Sequence, residues 1–193
     1  MEKRDNFRVV VLIPAYKPDE RLIQLTRELR EEKLDVLLVD DGGQKPFAHI
    51  FEQCRALGAE IAVHAVNQGK GRALKTGLNA ALNIWPDLSG VVTADADGQH
   101  TLRDILRIIE AMREHPKALV LGSREFTGDV PFKSRWGNRI TRFVYALASG
   151  VHVSDTQTGL RGLPACAIPA MITIDGERYE YEMNVLLKLR DMK

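Results

Sequence analysis

Short apolar runs, rich in Val, Leu and Ile, alternate with amphipathic stretches along the first 122 residues of the chain. This alternation restricts the fold more than any other feature. Apolar runs of this length are typical of buried strands, and the stretches between them carry apolar residues at helical spacing. The predicted strands are 9–13, 35–39, 60–66, 90–94 and 118–122. Such a sequence predicts an α/β fold with a mostly parallel central sheet and helices on both faces.

Residue patterns at the predicted helix starts agree with this fold. Asp19 is a candidate cap for a segment in which Leu22, Leu25 and Leu29 recur at helical spacing. Thr101 and Asp104 have the spacing of a capping box, and an amphipathic stretch follows them. Helices are therefore predicted after the first and fourth strands.

The charge of the chain is balanced. Its 193 residues include 27 Lys and Arg and 26 Asp and Glu, a net charge of +1, which excludes a uniformly basic nucleic-acid-binding protein. The length suits one domain over residues 1–193. Two cysteines are too few for a disulfide framework, and no apolar stretch approaches the ~18 residues of a membrane span. We expect a cytoplasmic protein, soluble or peripheral, without a nucleic-acid partner.

Polar and turn-forming residues follow each of the first four predicted strands. These segments are 14–16, 40–41, 67–71 and 95–99. Ligands bind at the carboxyl ends of the strands in parallel α/β sheets. The four segments therefore predict one shared site at that edge of the sheet.

The segment Asp95-Ala-Asp97 carries the strongest chemical signal. Side chains two apart on an extended segment point the same way, and two adjacent carboxylates repel unless a cation lies between them. With the amide of Gln99 nearby, they suit Mg²⁺ or Mn²⁺ shared with a diphosphate. The alternative is a solvated turn. His100, beside this segment, is expected to be structural.

Two other strand ends have a functional and a structural interpretation. Asp40 and Asp41 suit hydrogen bonds from a base or ribose, or they are turn residues before two glycines. The glycines of 67–71 let a backbone approach a phosphate, with Lys70 or Arg72 adding charge, or form an ordinary loop. The spacing matches neither a P-loop nor a dinucleotide-binding motif.

Basic residues are concentrated beyond the fifth predicted strand. Arg135, Arg139 and Arg142 fall at i, i+4 and i+7 and so share one face of a helix. Segment 124–142 carries a net charge of +3. This pattern suits an anionic membrane surface or a lipid phosphate, the alternative being a helix packed on the domain.

Two polar segments, 155–162 and 178–182, complete the last third of the chain. Glu180 and Glu182 share a face if their segment is extended. Loop and surface positions are the favoured interpretation of both segments. No Ser-His-Asp or Cys-His arrangement can be argued from the sequence.

Seven of these stretches, taken in order over residues 9–188, resemble glycosyltransferase family 2, which has the GT-A fold. Within that family the chain looks closest to the dolichyl- or polyprenyl-phosphate sugar synthases. The stretches are VVVLIPAYKP, DVLLVDDGG, NQGKGRALKTGLNAA, VVTADADGQH, LGSREF, TQTGLRG and YEYEMNVLL.

The resemblance implies an inverting transfer of a sugar from a UDP- or GDP-sugar to a lipid phosphate at the cytoplasmic membrane face. It implies a nucleotide-sugar half at 9–122 and an acceptor half at 123–193, whose C-terminal end is short against its relatives. The residues it implies around the nucleoside are Pro14, Ala15, Tyr16 and Asp41, with Asp40 beside them.

The resemblance also assigns the groups around the reacting bond. Lys70 would lie near the nucleotide, and Asp95 would contact the nucleotide sugar. Asp97 and Gln99 would ligate Mg²⁺ or Mn²⁺. The acceptor phosphate would bind Arg124, Arg135 and Arg139, and the catalytic group would be Asp95, Asp97 and Arg124.

Three other functions compete with this one. A family 2 transferase acting on a saccharide hydroxyl needs a carboxylate base, for which Glu180 or Glu182 is the candidate. A sugar-1-phosphate nucleotidyltransferase is disfavoured because no glycine-rich basic loop follows the first strand. A non-enzymatic nucleotide-sugar-binding domain is disfavoured by the intact Asp95-Ala-Asp97, the glycine loop and Arg124. A lipid phosphate is already anionic and requires no base.

Overall fold

The computed structural model describes residues 7–43, 45–122 and 159–188. The described chain forms a six-stranded sheet with helices on both faces. The strands are β1 Arg8–Ala15, β2 Asp35–Asp40, β3 Glu60–Val63, β4 Leu88–Thr93, β5 Val120–Leu121 and β6 Arg161–Pro164. The helices are α1 Glu20–Glu31, α2 Ala48–Ala56, α3 Lys70–Ile84, α4 Leu102–Glu114, α5 Ile168–Ile172 and α6 Glu180–Lys188.

The sheet is mostly parallel, as predicted, with strand order β3-β2-β1-β4-β6-β5. β1 pairs in parallel with β2 and β4, and β2 pairs in parallel with β3. β6 runs antiparallel between β4 and β5. The predictions for the third and fifth strands were too long: β3 ends at Val63, and β5 has only two residues, both paired with β6.

Each face of the sheet carries its own apolar core. On β1, Val11 and Ile13 face the core under α1, α2 and α4, whereas Val10 and Leu12 face the core under α3, α5 and α6. All four side chains are fully buried, as alternation along a strand covered on both sides requires. The prediction of helices on both faces is confirmed.

The predicted helix caps are present. The Asp19 carboxylate accepts a hydrogen bond from the backbone N–H of Arg21 at 3.0 Å, and Thr101 and Asp104 form a reciprocal capping box. Leu22 and Leu29 of α1 are fully buried, as their spacing predicted. No helix among the described residues is long and apolar enough to cross a membrane.

The first turn of α3 packs closely on the segment that precedes α6. A Cβ atom on Gly71 would lie 2.6 Å from Cβ of Tyr181 and 2.8 Å from the carbonyl oxygen of Arg178. The backbone N–H of Arg72 donates to the carbonyl of Glu177 at 2.9 Å. This contact brings residues 177–181 to the edge of the sheet where β1, β2 and β4 end.

The two cysteines are unpaired and differ in exposure. Cys54 is buried beside Thr26, and Cys166 is exposed. Burial raises the pKa of the Cys54 thiol, and the hydrogen bond with Thr26 lowers it by less. We expect iodoacetamide to alkylate Cys166 in the folded protein and to reach Cys54 only in urea, because the thiolate is the nucleophile. Peptide mass spectrometry measures both sites, and equal rates in the folded protein would contradict this.

A second prediction concerns Gly71. We expect Gly71→Ala to lower the free energy of unfolding by about 1–3 kcal/mol, because the added methyl group meets backbone atoms. Alanine otherwise favours a helix over glycine by ~1 kcal/mol, so the sign is diagnostic. Urea denaturation measures it, with the exposed Asn79→Ala on the same helix as control. A Gly71→Ala variant as stable as wild type would contradict the close packing.

Candidate functional site

A pocket of about 490 Å³ opens at the carboxyl ends of β1, β2 and β4. The strand-end segments predicted to share a site meet here, each contributing at least one side chain. The lining residues are Pro14, Ala15, Tyr16, Asp41, Asn67, Gly69, Lys70, Ala73, Asp95, Ala96, Asp97, Arg178 and Tyr179.

Some predicted site residues lie elsewhere. Asp40 and Gln99 do not line the pocket. The Asp40 carboxylate instead accepts a hydrogen bond from the backbone N–H of Gly43 at 2.7 Å, the turn role that the sequence had left open. Arg124, Arg135 and Arg139 lie outside the described residues.

Asp41 holds the glycine loop from inside. It is only 3% exposed, and its Oδ1 accepts from the backbone N–H of Gln68 at 2.8 Å, while Oδ2 accepts from Gly69 at 2.9 Å. His64 Nδ1 lies 2.7 Å from the same carboxylate. These two N–H groups are therefore not free to bind a phosphate, because Asp41 already accepts hydrogen bonds from both.

Lys70 begins α3 and forms an ion pair across the pocket floor. Its Nζ lies 2.7 Å from Asp95 Oδ1, and His100 Nε2 lies 3.2 Å from Asp95 Oδ2. Burial raises the pKa of Asp95, but His100 and Lys70 lower it by more, so it lies well below its ordinary value. Burial lowers the pKa of Lys70, and the carboxylates of Glu182 and Asp95 raise it by more. Lys70 and Asp95 are therefore both charged at neutral pH.

Glu182 and Arg161 extend this ion pair beneath the pocket. Glu182 Oε2 lies 3.0 Å from Lys70 Nζ, and its Oε1 lies 3.7 Å from the guanidinium of Arg161. Their side chains are 12% and 4% exposed, so the favoured interpretation of these positions as loop and surface is wrong. Burial of Arg161 follows from its position in β6.

Glu180 and Glu182 do not lie on an extended segment. Both belong to the first turn of α6, where residues two apart point in different directions. Glu180 faces away from the ion pairs and accepts hydrogen bonds from the backbone N–H groups of Glu177 and Arg178, at 2.9 and 3.1 Å. It holds the segment whose side chains line the pocket.

Asp97 lines the pocket, and Gln99, which does not, lies beside it; both side chains carry oxygen atoms that can ligate a cation. The backbone N–H of Gln99 donates to Asp97 Oδ1 at 3.0 Å, and its side-chain amide contacts Oδ2 of the same carboxylate. No group of three or more His, Cys, Asp or Glu suited to a metal occurs among the described residues. The pair still fits Mg²⁺ or Mn²⁺, which are bound through one or two carboxylates together with phosphate oxygens and water.

Arg178 and Tyr179 were missed by the sequence analysis. Both line the pocket, and Tyr179 is 79% exposed. No carboxylate in the described part of the chain lies within ion-pair distance of Arg178. Arg178 and Tyr179 reach the site because residues 177–181 pack on Gly71. No local sequence pattern could have indicated this contact between distant parts of the chain.

Comparison with solved structures identifies the fold. Glucosyl-3-phosphoglycerate synthase from Mycobacterium tuberculosis, solved with Mn²⁺, UDP-glucose and phosphoglyceric acid, matches with a TM-score of 0.71 at 17% identity. The match covers 96% of this chain and 66% of the synthase, so the chain spans just under two thirds of that protein. The fold is the GT-A fold of glycosyltransferases.

Curated relatives match at the level of sequence. A UDP-N-acetylglucosamine–dolichyl-phosphate N-acetylglucosaminyltransferase from Methanococcus voltae is 30% identical, with 89% of this chain and 76% of the relative covered. A polyprenol monophosphomannose synthase from Mycolicibacterium smegmatis is 28% identical, with 82% and 62% covered. The family model described as "Glycosyl transferase family 2" matches residues 10–172. The chain is thus a glycosyltransferase and belongs to glycosyl transferase family 2.

Proposed function

We propose that the chain transfers a sugar from a UDP- or GDP-sugar to a polyprenyl or dolichyl phosphate, with inversion at the sugar carbon and a divalent metal. The names of the Methanococcus and Mycolicibacterium relatives include dolichyl phosphate and a polyprenol, which supports this acceptor class. The observation that carries the proposal is that both candidate bases of the alternative reaction are already engaged, Glu182 in ion pairs and Glu180 with two backbone N–H groups.

The nucleoside of the donor lies against the ends of β1 and β2. Tyr16 is half-exposed at the pocket wall and offers an aromatic face for the base, with Pro14 and Ala15 beside it. Asp41 lines the same wall and accepts from the nucleoside through the second lone pair of Oδ2, since Oδ1 already has two partners. Asp40 acts only through the turn at Gly43.

The diphosphate lies between Lys70 and Asp97. Asp97 and Gln99 hold Mg²⁺ or Mn²⁺, which supplies Lewis-acid stabilisation of the leaving diphosphate when bound. Lys70 presents its ammonium to the phosphate oxygens, and Asp95 contacts the sugar end of the donor. Arg178, which has no ion-pair partner within the described ranges 7–43, 45–122 and 159–188, adds a planar donor that suits phosphate.

A phosphate acceptor removes the need for a general base. Glu182 is paired with Lys70 and Arg161, and Glu180 is held by two backbone N–H groups. Neither lines the pocket, so neither is placed to take a proton from a sugar hydroxyl. This arrangement favours an acceptor that is already anionic over a saccharide hydroxyl.

The acceptor half, residues 123–193, is proposed to begin directly after Gly122, the residue that follows β5. The N–H of Gly122 donates to the carbonyl of Leu160 at 2.9 Å, at the carboxyl end of β4. Arg124 follows two residues later, and with Arg135 and Arg139 it is proposed to bind the acceptor phosphate. The basic charge of 124–142 suits an anionic membrane surface, on whose cytoplasmic face we place the protein as a peripheral, single-domain enzyme.

The reaction itself is testable with labelled donors. We expect radiolabel from one UDP- or GDP-sugar of a panel to enter the organic phase when polyprenyl phosphate and Mn²⁺ are present, because the product is a lipid. NMR of the product is expected to show the inverted anomeric configuration. Label that stays in the aqueous phase and appears on a soluble saccharide would overturn the acceptor assignment in favour of the hydroxyl-transferring alternative.

The metal assignment is tested at Asp97. We expect Asp97→Asn to weaken nucleotide binding in Mn²⁺ by at least about tenfold, since a metal contributes several kcal/mol at such a site. In EDTA its affinity is expected to equal that of wild type. Calorimetric titration with UDP and GDP measures both conditions, with the exposed Asp175→Asn as the charge-matched control. An unchanged affinity in Mn²⁺ would exclude Asp97 as a ligand.

A further inference from the structure

We propose that Glu182 is a positioning residue, one that holds the ammonium group of Lys70 in the donor pocket while making no contact with the donor itself. The inference rests on the proposed function for the identity of the donor. It goes beyond that function because it assigns a role to Glu182, a buried residue that does not line the pocket. The sequence had suggested Glu182 only as a candidate general base.

The geometry places Lys70 between two carboxylates that come from different elements. Its Nζ lies 2.7 Å from Asp95 Oδ1, beyond the end of β4, and 3.0 Å from Glu182 Oε2, on α6. Lys70 and Asp95 line the pocket, whereas Glu182 does not. Glu182 therefore acts on the pocket only through Lys70.

The number of N–H donors on Lys70 explains why this arrangement suits a phosphate. A lysine ammonium has three N–H donors. Two are directed to Asp95 and Glu182, and the third is left for a donor phosphate oxygen. A lysine side chain is a flexible stem with a point charge at its end. If Asp95 were the only ion-pair partner of Lys70, the ammonium group would move closer to that carboxylate and away from the diphosphate.

Glu182 is itself fixed from behind. Arg161 donates to the backbone carbonyl of Glu182 at 2.9 Å, and its guanidinium lies 3.7 Å from Oε1 of the same residue. Arg161 is 4% exposed. The two oxygens of Glu182 thus face two different cations, Lys70 on the pocket side and Arg161 on the sheet side.

The charges of this group balance before any ligand arrives. Lys70 and Arg161 contribute two positive charges, and Asp95 and Glu182 contribute two negative ones. Glu182→Gln keeps the shape of the side chain and removes one negative charge. Lys70 is then drawn towards Asp95, so donor binding is weakened while the chemistry at the sugar carbon is left in place.

The test compares Glu182→Gln, Lys70→Met and the double variant, with the exposed Glu110→Gln as control for net charge. Titration calorimetry gives the Kd of UDP and of GDP in Mn²⁺ and in EDTA, without any acceptor. Steady-state assays with the donor that the wild type uses give KM and kcat. Circular dichroism melts show that each variant is folded.

We expect Glu182→Gln to raise the nucleotide Kd and the donor KM by about tenfold, the usual effect of losing one charged hydrogen bond. The turnover number kcat is expected to stay within threefold of wild type. Because Glu182 acts through Lys70, the double variant should bind no more weakly than Lys70→Met alone. Glu182→Asp keeps the charge and should fall between wild type and Glu182→Gln.

Three results would overturn the proposal. A fall in kcat of a hundredfold or more with an unchanged KM would place Glu182 at the reacting atoms. Additive losses in the double variant would show that Glu182 and Lys70 act independently. If Glu182→Asp bound nucleotide as weakly as Glu182→Gln, the negative charge of Glu182 would not be what positions Lys70. Since nucleotide binding is measured without acceptor, a failure to transfer sugar to polyprenyl phosphate leaves this test intact.

Discussion

The close approach of α3 to the segment before α6 is the contact on which the site depends. At Gly71 the two backbones are too near to admit a side chain, and the Arg72–Glu177 hydrogen bond fixes their register. Residues 177–182 reach the pocket through this contact. Without it, the strand ends would still converge, but Arg178, Tyr179 and Glu182 would have no fixed place beside them.

Charged side chains then connect elements that the sheet alone does not join. From Arg161 in β6 the ion pairs run through Glu182 in α6 and Lys70 in α3 to Asp95 beyond β4. Buried ion pairs add little net stability, because desolvation offsets much of the attraction. Here these ion pairs fix the positions of the side chains, because each charged group is held by a partner that a further contact holds in turn.

Most of the fold followed from local patterns. The β-branched runs of β1, β2 and β4 are buried on both faces, and the caps at Asp19 and Thr101 are backbone chemistry that three or four residues specify. Seven of the predicted site residues line the pocket for the same reason, because they end a strand, follow one closely or begin a helix. They are Pro14, Ala15, Tyr16, Asp41, Lys70, Asp95 and Asp97.

What the sequence could not show depends on pairs far apart in the chain. The alternating pattern of Arg178-Tyr-Glu-Tyr-Glu182 is typical of a strand. In the structure, however, Tyr181 and Val185 lie four residues apart on one helix and are both buried. Their packing against the core stabilises the helix. The Lys70–Glu182 pair joins residues with most of the domain between them. Likewise, only the three-dimensional structure shows that the Asp41 carboxylate accepts hydrogen bonds from the backbone of the glycine loop.

The position of β6 has one further consequence. Because β6 runs antiparallel between β4 and β5, Gly122 and Leu160 lie side by side at one edge of the sheet, and a backbone hydrogen bond ties them together. The ends of the segment between them are therefore held close together, and lengthening a loop whose ends are held together costs little free energy. Under the proposed function, segments of different length could therefore be inserted here, and the acceptor could change, without disturbing the described part of the sheet.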